Sequence, residues 1–483
     1  MTWAPLFAST DDDGRARLAE AALGAIDSLN QSLNAPRSAV APLALHERIS
    51  TLDICADEGV DLATVLSELG TTVWAHGVVP TDTATVAHLH PPTTLSAVVT
   101  EMAIATTNQS MDSWDQAPMA TALELHLMRW VGDQLGFPDS SSGVMTSGGT
   151  ASNVLGITLA RSHAGAALGI DILKSGLPPE ATQWRILCSD QAHFSVQRAA
   201  GQLGLGRDAV VTVPTTDAGV MDTDALDQVI TDVRGHGGVI IALVGTAGTT
   251  DLGAIDPLDQ IAARARALGA WFHVDAAVAG SFTMSPVLRP RLLGIELADS
   301  VTMDFHKLWW QPFNASALLV RDTTSFDLLR VKSNYLDRGD ELEGMVNLVG
   351  RSLDTSRRFD AAKVVASLRT IGRATFAAMI EHLVDLATYC GEQVIARETF
   401  ALLSPIHGVT CVFDAPDYDA ESLRLVQQQL LLRGEAILGR TEIKGRAALK
   451  CTFMNPLATS ADVDRILDMI EAELSLLAPP KSL

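Results

Sequence analysis

From Gly14 to Asn30 the apolar residues Leu18, Ala21, Ala22, Ile26 and Leu29 recur three or four positions apart, which predicts a helix with one apolar face. Thr121 to Leu135 repeats the pattern with Leu123, Leu127, Trp130, Val131 and Leu135. No strand pattern lies beside these helices, so their faces need another surface, and an N-terminal arm across a second copy of the chain is expected. The middle of the chain alternates. Short apolar runs at Ile186–Cys188, Val210–Val213, Val239–Val244, Trp271–Val274, Val301–Met303 and Ala317–Val320 are mostly separated by helical patterns such as Asp224–Val233 and Pro257–Leu268. That alternation predicts an α/β fold, a mainly parallel sheet flanked by helices, with ligands beyond the C-terminal ends of its strands. After about Leu368 come a helix (Ala374–Ala396), a strand (Val409–Phe413), a helix (Glu421–Arg433), a strand (Ala448–Phe453) and a helix (Ser460–Leu477). The expected organisation is an N-terminal helical segment (1–85), a large domain (86–368) and a small C-terminal α+β domain (369–483).

Composition narrows the classes of function. A chain of 483 residues, 47% hydrophobic and 19% charged, can bury a large core in two or three packed units. Its net charge of −22 offers nothing to nucleic acid or an anionic membrane and is compatible with a cationic substrate, or simply with a solvated acidic surface. Five cysteines, at 55, 188, 390, 411 and 451, show no CxxC spacing, against both a disulfide framework and a zinc cage. Met1 to Thr10 lacks a basic segment followed by a long apolar one, and no apolar run approaches the roughly 20 residues that span a bilayer. A cytoplasmic protein is expected.

The chemistry concentrates at strand ends. Asp304-Phe305-His306-Lys307 follows the run Ser300 to Met303 and precedes Leu308-Trp309-Trp310. An ammonium in apolar and aromatic surroundings is destabilised as a cation, which makes a neutral amine available for Schiff-base chemistry. His273-Val274-Asp275-Ala276-Ala277 places a carboxylate at the end of another strand, where a pyridoxal phosphate enzyme needs an acid to keep its pyridine nitrogen protonated. Ser147-Gly148-Gly149-Thr150 feeds the helical run Val154 to Ala160, an arrangement suited to a phosphate but also common in ordinary loops. His193, after the strand Ile186–Cys188, is either a stacking partner for a ring or a loop histidine bonded to backbone. Thr249 and Thr250 end a turn after Val239–Val244, where a hydroxyl could meet a cofactor or a substrate carboxylate.

Taken in order, Thr146 to Thr150, His193, Gly248-Thr249-Thr250, His273 to Ser281 and His306-Lys307 resemble the group II pyridoxal-phosphate-dependent amino-acid decarboxylases, which act on aromatic amino acids, histidine or glutamate. The resemblance runs from about Val86 to the C-terminus. It implies the aspartate-aminotransferase-like fold type I and a homodimer with shared active sites. By it, Lys307 resembles the Schiff-base lysine, Asp275 the acid on the pyridinium nitrogen, and His193 the ring-stacking, catalytically implicated histidine. Ser147, Gly148, Gly149 and Thr150 match the phosphate loop, Thr250 and Ala277 the ring contacts, and His306 the histidine beside the lysine, with Asp304 grouped among the cofactor-binding residues. Tyr335 matches a tyrosine that the partner subunit contributes, expected to protonate Cα after CO2 leaves.

Two features bear on the substrate. The aromatic branch carries aromatic residues after its His-x-His-Pro segment, whereas His88-Leu89-His90-Pro91 is followed by Pro92-Thr93-Thr94-Leu95, and Asp304 stands where that branch has asparagine. Thr107 to Gln116 and Asp304 to Lys307 look most like L-2,4-diaminobutyrate decarboxylases and siderophore-pathway lysine decarboxylases. The expectation is therefore a diamino acid, with His90, Asp112 and Asp115 on the substrate side. Asp112 and Asp115 have an alternative reading as helix-cap or surface groups. Lysine, ornithine, glutamate and aromatic substrates stay open, as do another fold type I reaction and a non-catalytic dimer. Arg358, Arg446 and Lys450 are candidates for holding an anion, each equally readable as an ion-pair partner.

Overall fold

The computed structural model describes residues 6–29, 35–55, 57–330, 342 and 344–477. Its contacts divide the chain into two compact units, one of residues 89–388 and 404–411, the other of residues up to 88, 389–403 and from 412 onward.

In the second of these units the N-terminal pattern forms α1 (Asp12–Ser28), started by Asp11, whose carboxylate accepts from the Gly14 N–H. It packs on α2 (Leu62–Thr72), where Gly70 lets the backbone of Ser28 approach. Leu23 and Ile26 on α1 stay exposed.

The larger unit holds α3 (Leu95–Thr107), α4 (Pro118–Leu135) and a seven-stranded sheet covered by α5 (Gly149–Ala167) and other helices, including Thr223–Gly235 and Leu258–Leu268. In chain order the strands are β1 (Ser142–Thr146), β2 (Trp184–Ser189), β3 (Val210–Val213), β4 (Val239–Thr246), β5 (Trp271–Asp275), β6 (Ser300–Asp304) and β7 (Ser316–Val320). They lie side by side as β1-β7-β6-β5-β4-β2-β3. Neighbours from β6 through β3 are parallel, and β7 alone runs antiparallel to β6 and β1. The mainly parallel sheet of the sequence reading is therefore present. Every residue of β5, β6 and β7 is buried, as expected for strands covered on both faces.

Two elements of this unit escape the sequence pattern. β1 reads Ser-Gly-Val-Met-Thr, too short and too glycine-broken to signal a strand, and is held by its partner β7. α3 is apolar nearly all round and so has little periodicity; its Leu95, Val98, Val99 and Met102 are exposed.

The other unit also contains a four-stranded sheet, β10-β11-β9-β8, from β8 (Ala401–Leu402), β9 (Thr410–Asp414), β10 (Gly439–Ile443) and β11 (Arg446–Thr452), with helices Ala420–Arg433 and Ser460–Leu476. Among the described residues no helix is long and apolar enough to cross a membrane.

Candidate active site

The direction of the strands gathers the candidates at one edge. Asp275 closes β5 and Asp304 closes β6, neighbouring parallel strands, so both carboxylates leave the sheet at the same end. The β6–β7 register puts Ser316 opposite Asp304, and the Ser316 hydroxyl donates to that carboxylate. Lys307 turns back three residues later, its Nζ 2.8 Å from Asp304 Oδ2. His306 Nδ1 donates to the Ala315 carbonyl at 2.8 Å, and burial holds this imidazole below its ordinary pKa. Trp309 and Trp310 are buried in the following segment, as an apolar setting requires, yet a carboxylate faces the amine.

Asp275 is held by neutral donors. Asn153 Nδ2 donates to its Oδ2 at 2.7 Å and the Ala277 N–H to its Oδ1 at 3.1 Å, and no described cation is bonded to it. His193 Nδ1 lies 2.8 Å from Ser195 Oγ. Burial lowers the pKa of His193, and Asp275, Lys307 and Asp304 all act on it through their charges, so the four side chains share one electrostatic neighbourhood.

The glycine-rich turn closes over this group. Gly148 caps α5 at φ 148°, a conformation that favours glycine, and a Cβ on Gly149 would stand 2.9 Å from Asp304 Oδ2. Thr146 Oγ1 and Ser152 Oγ, 2.6 Å apart, pin the turn, while Ser147 is exposed and Gly148, Gly149 and Thr150 are half-buried. The first N–H groups of a 19-residue helix thus point to a site suited to an anion. Behind it, Arg357 Nη1 donates to both Glu124 oxygens at 3.0 and 3.1 Å and to the Met145 carbonyl at 3.2 Å, clamping the end of β1.

The remaining candidates scatter. His90 is half-buried, with its ring 5.3 Å from that of Phe313, which lies 4.7 Å from the His306 ring. Asp112 is buried, with one oxygen accepting from the Ser113 N–H, whereas Asp115 is exposed on the turn Trp114–Gln116; neither is bonded to the lysine cluster. Thr249 is buried and Thr250 exposed at its turn. Arg358 pairs with Glu101, Arg446 with Asp414, and Lys450 is buried in the other unit. Tyr335 lies outside the described residues. Sequence reading passed over Asn153, Ser195, Ser316, Glu124 and Arg357. Only Asn153 carried a signal, one turn beyond the glycines.

A buried carboxylate bonded to no cation among the described residues, a primary amine, an imidazole and a glycine-opened helix start suit the ring nitrogen, aldehyde, ring and phosphate of pyridoxal phosphate. The profile described as "Pyridoxal-dependent decarboxylase conserved domain" matches residues 52–415. The chain belongs to this family.

The decarboxylase is 38% identical over 471 residues to an L-2,4-diaminobutyrate decarboxylase of Rhizobium meliloti (strain 1021), covering 95% of this chain and 92% of that protein. It is 37% identical over 402 residues to the protein of the same name from Acinetobacter baumannii, covering 80% and 79%. Among solved structures, the glutamate decarboxylase domain of diaminobutyrate-pyruvate transaminase and L-2,4-diaminobutyrate decarboxylase from Vibrio parahaemolyticus superposes with a TM-score of 0.90 at 35% identity, covering 98% and 99%. The decarboxylase is a carboxy-lyase of fold type I that uses pyridoxal phosphate on an amino acid.

Proposed function

We propose that the substrate is a dibasic L-amino acid, L-2,4-diaminobutyrate first, with lysine or ornithine behind it. The observation that carries this reading is the 37–38% identity to two L-2,4-diaminobutyrate decarboxylases. Asp112 supports it: the carboxylate is buried, and one of its oxygens accepts from the Ser113 N–H. A carboxylate about 4 Å from the distal ammonium would contribute up to roughly 4 kcal/mol at an effective dielectric near 20, about a thousandfold in preference.

In this reading Lys307 holds the cofactor through Nζ, and Ser147 to Thr150 hold its phosphate. Thr250 and Ala277 contact the ring, with His306 beside the lysine. When bound, pyridoxal phosphate supplies the sink for the electron pair released as the Cα–carboxylate bond breaks. Asp275 keeps the proton on the pyridine nitrogen, His193 stacks on the ring, and Tyr335 of the partner subunit returns a proton to Cα. A homodimer is part of the proposal, supported by the exposed apolar residues Leu23 and Ile26 on α1 and the stripe Leu95, Val98, Val99 and Met102 on α3. A cytoplasmic location accords with the scattered cysteines.

The test is a panel of L-amino acids, reading CO2 and amine. Diaminobutyrate should give the highest kcat/KM, and Asp112→Asn should reduce its preference over uncharged substrates by up to about a thousandfold. Faster turnover of glutamate or L-DOPA than of every diamino acid would overturn the substrate assignment.

A further inference from the structure

Behind the ring-facing edge runs a buried file of polar groups to which the family resemblance assigns no role. Asn153, on α5, has its amide nitrogen 2.7 Å from Asp275 Oδ2 and 2.9 Å from Ser195 Oγ, while its Oδ1 lies 3.0 Å from His273 Nε2. His273 Nδ1 is 2.8 Å from Ser300 Oγ, which accepts from Trp271 Nε1 at 2.8 Å. Asn153, Ser195, His273 and Ser300 are each at most 1% exposed. His273 reaches α5 only because residue 156 is glycine: a Cβ there would stand 2.6 Å from the imidazole.

Elementary donor and acceptor rules give every proton a direction. A carboxylate only accepts, so the face of Asn153 toward Asp275 is its NH2, and its two hydrogens serve Asp275 and Ser195. Its carbonyl then requires a hydrogen on His273 Nε2. Burial holds His273 neutral, with a pKa lowered to about 4, so Nδ1 accepts from the Ser300 hydroxyl. At the other end, Ser195 accepts from Asn153 and gives its own hydrogen to His193 Nδ1, which also lies 3.3 Å from the Ser195 backbone N–H. Two donors converging on Nδ1 place the His193 proton on Nε2.

We propose that Asn153 is a positioning residue that sets both groups facing the cofactor ring, orienting the Asp275 carboxylate and, through Ser195, fixing His193 as its Nε2–H tautomer. The chain Trp271, Ser300, His273 and Asn153 fixes the orientation of the amide, so the two ring partners are set by one side chain rather than independently. This rests on the reading of Asp275 and His193 as ring partners.

The experiment compares Asn153→Ala and the isosteric Asn153→Asp in wild-type and Asp275→Asn backgrounds, after circular dichroism has shown that each holoenzyme is folded. One readout is the rate of pyridoxal phosphate release, followed as loss of the protein-bound visible band on dialysis. The other is the pH midpoint of that band. In the wild-type background Asn153→Ala should speed release at least fivefold and move the midpoint in the same direction as Asp275→Asn. Asn153→Asp, which sets carboxylate against carboxylate, should do more. In the Asp275→Asn background the same changes should alter release less than twofold, because the group acted on is gone. Equal factors in both backgrounds, or an unmoved midpoint, would overturn the proposal. Ser195→Ala should leave the midpoint where it is and lower kcat, since it cuts only the arm to His193; a midpoint shifted as far as in Asn153→Ala would also overturn it. If the underlying reading of the site fails instead, the wild-type protein shows no visible band at all.

Discussion

Asp275 and Asp304 end adjacent strands and are almost equally buried, at 6% and 2% exposure, yet their surroundings differ in kind. Asp304 meets a lysine and a serine hydroxyl within its own chain, so its charge is compensated before any ligand arrives. Among the described residues Asp275 receives only two neutral N–H donors, which orient a carboxylate without neutralising it. An ionised group removed from water without a cation is costly unless one is delivered. The protonated ring nitrogen of pyridoxal phosphate would be such a cation, and an opposite charge within about 4–6 Å would raise its pKa by roughly one to three units. Of two similar acids, one is paired with the lysine, and the other is the one we propose for the ligand.

The largest effect that would break this comparison comes from the amine. Lys307→Ala should abolish the borohydride-reducible bond to the cofactor and lower turnover by about a thousandfold or more. Asp275→Asn should keep the fold and lose roughly a hundredfold or more in kcat, because the amide leaves the ring nitrogen without its counter-charge. A near-wild-type rate in steady-state assays would make that acid structural.

His273 gives the next effect, on stability. Its folded pKa of about 4 lies below the ordinary 6.5, so the unfolded chain binds the extra proton first as pH falls. The associated stability is fully present above pH 6.5 and is lost down to about pH 4, by up to about 3 kcal/mol. Denaturant titrations at pH 7 and pH 4.5 should show a smaller loss in His273→Gln than in the wild type; an equal loss would mean that this imidazole is not the group titrating.

Asp304→Asn should be mildest, about tenfold or less in kcat, since the amide keeps the shape of the site and Ser316 remains beside it. A loss as large as that of Asp275→Asn would erase the distinction between the two acids.

The sheet was readable because six of its seven strands carry short apolar runs, and their order fixed which ends face one edge. β1 and α3 were not, the first for want of a run and the second for want of a polar face. In the site, motif residues such as Lys307, Asp275 and Gly149 could be picked out in sequence, but what each touches could not. Asp304 and Lys307 are three residues apart and their pairing was open to a local argument. Asn153 and Asp275 are 122 positions apart, and Arg357 and Glu124 are 233 apart, so only the packing of helices on the sheet joins them. The sequence reading singled out Arg358, yet its neighbour Arg357 is the one turned toward the end of β1.

The central claim is that Lys307 is the lysine that bears the cofactor opposite Asp275. The chain has seven lysines, at 174, 307, 332, 363, 444, 450 and 481, which makes a direct assignment simple. Borohydride reduction of the purified holoenzyme, followed by proteolysis and mass spectrometry, should give one pyridoxyl-modified peptide, containing Lys307. Stoichiometric modification of any other lysine, with Lys307 recovered unmodified in active enzyme, would contradict the account.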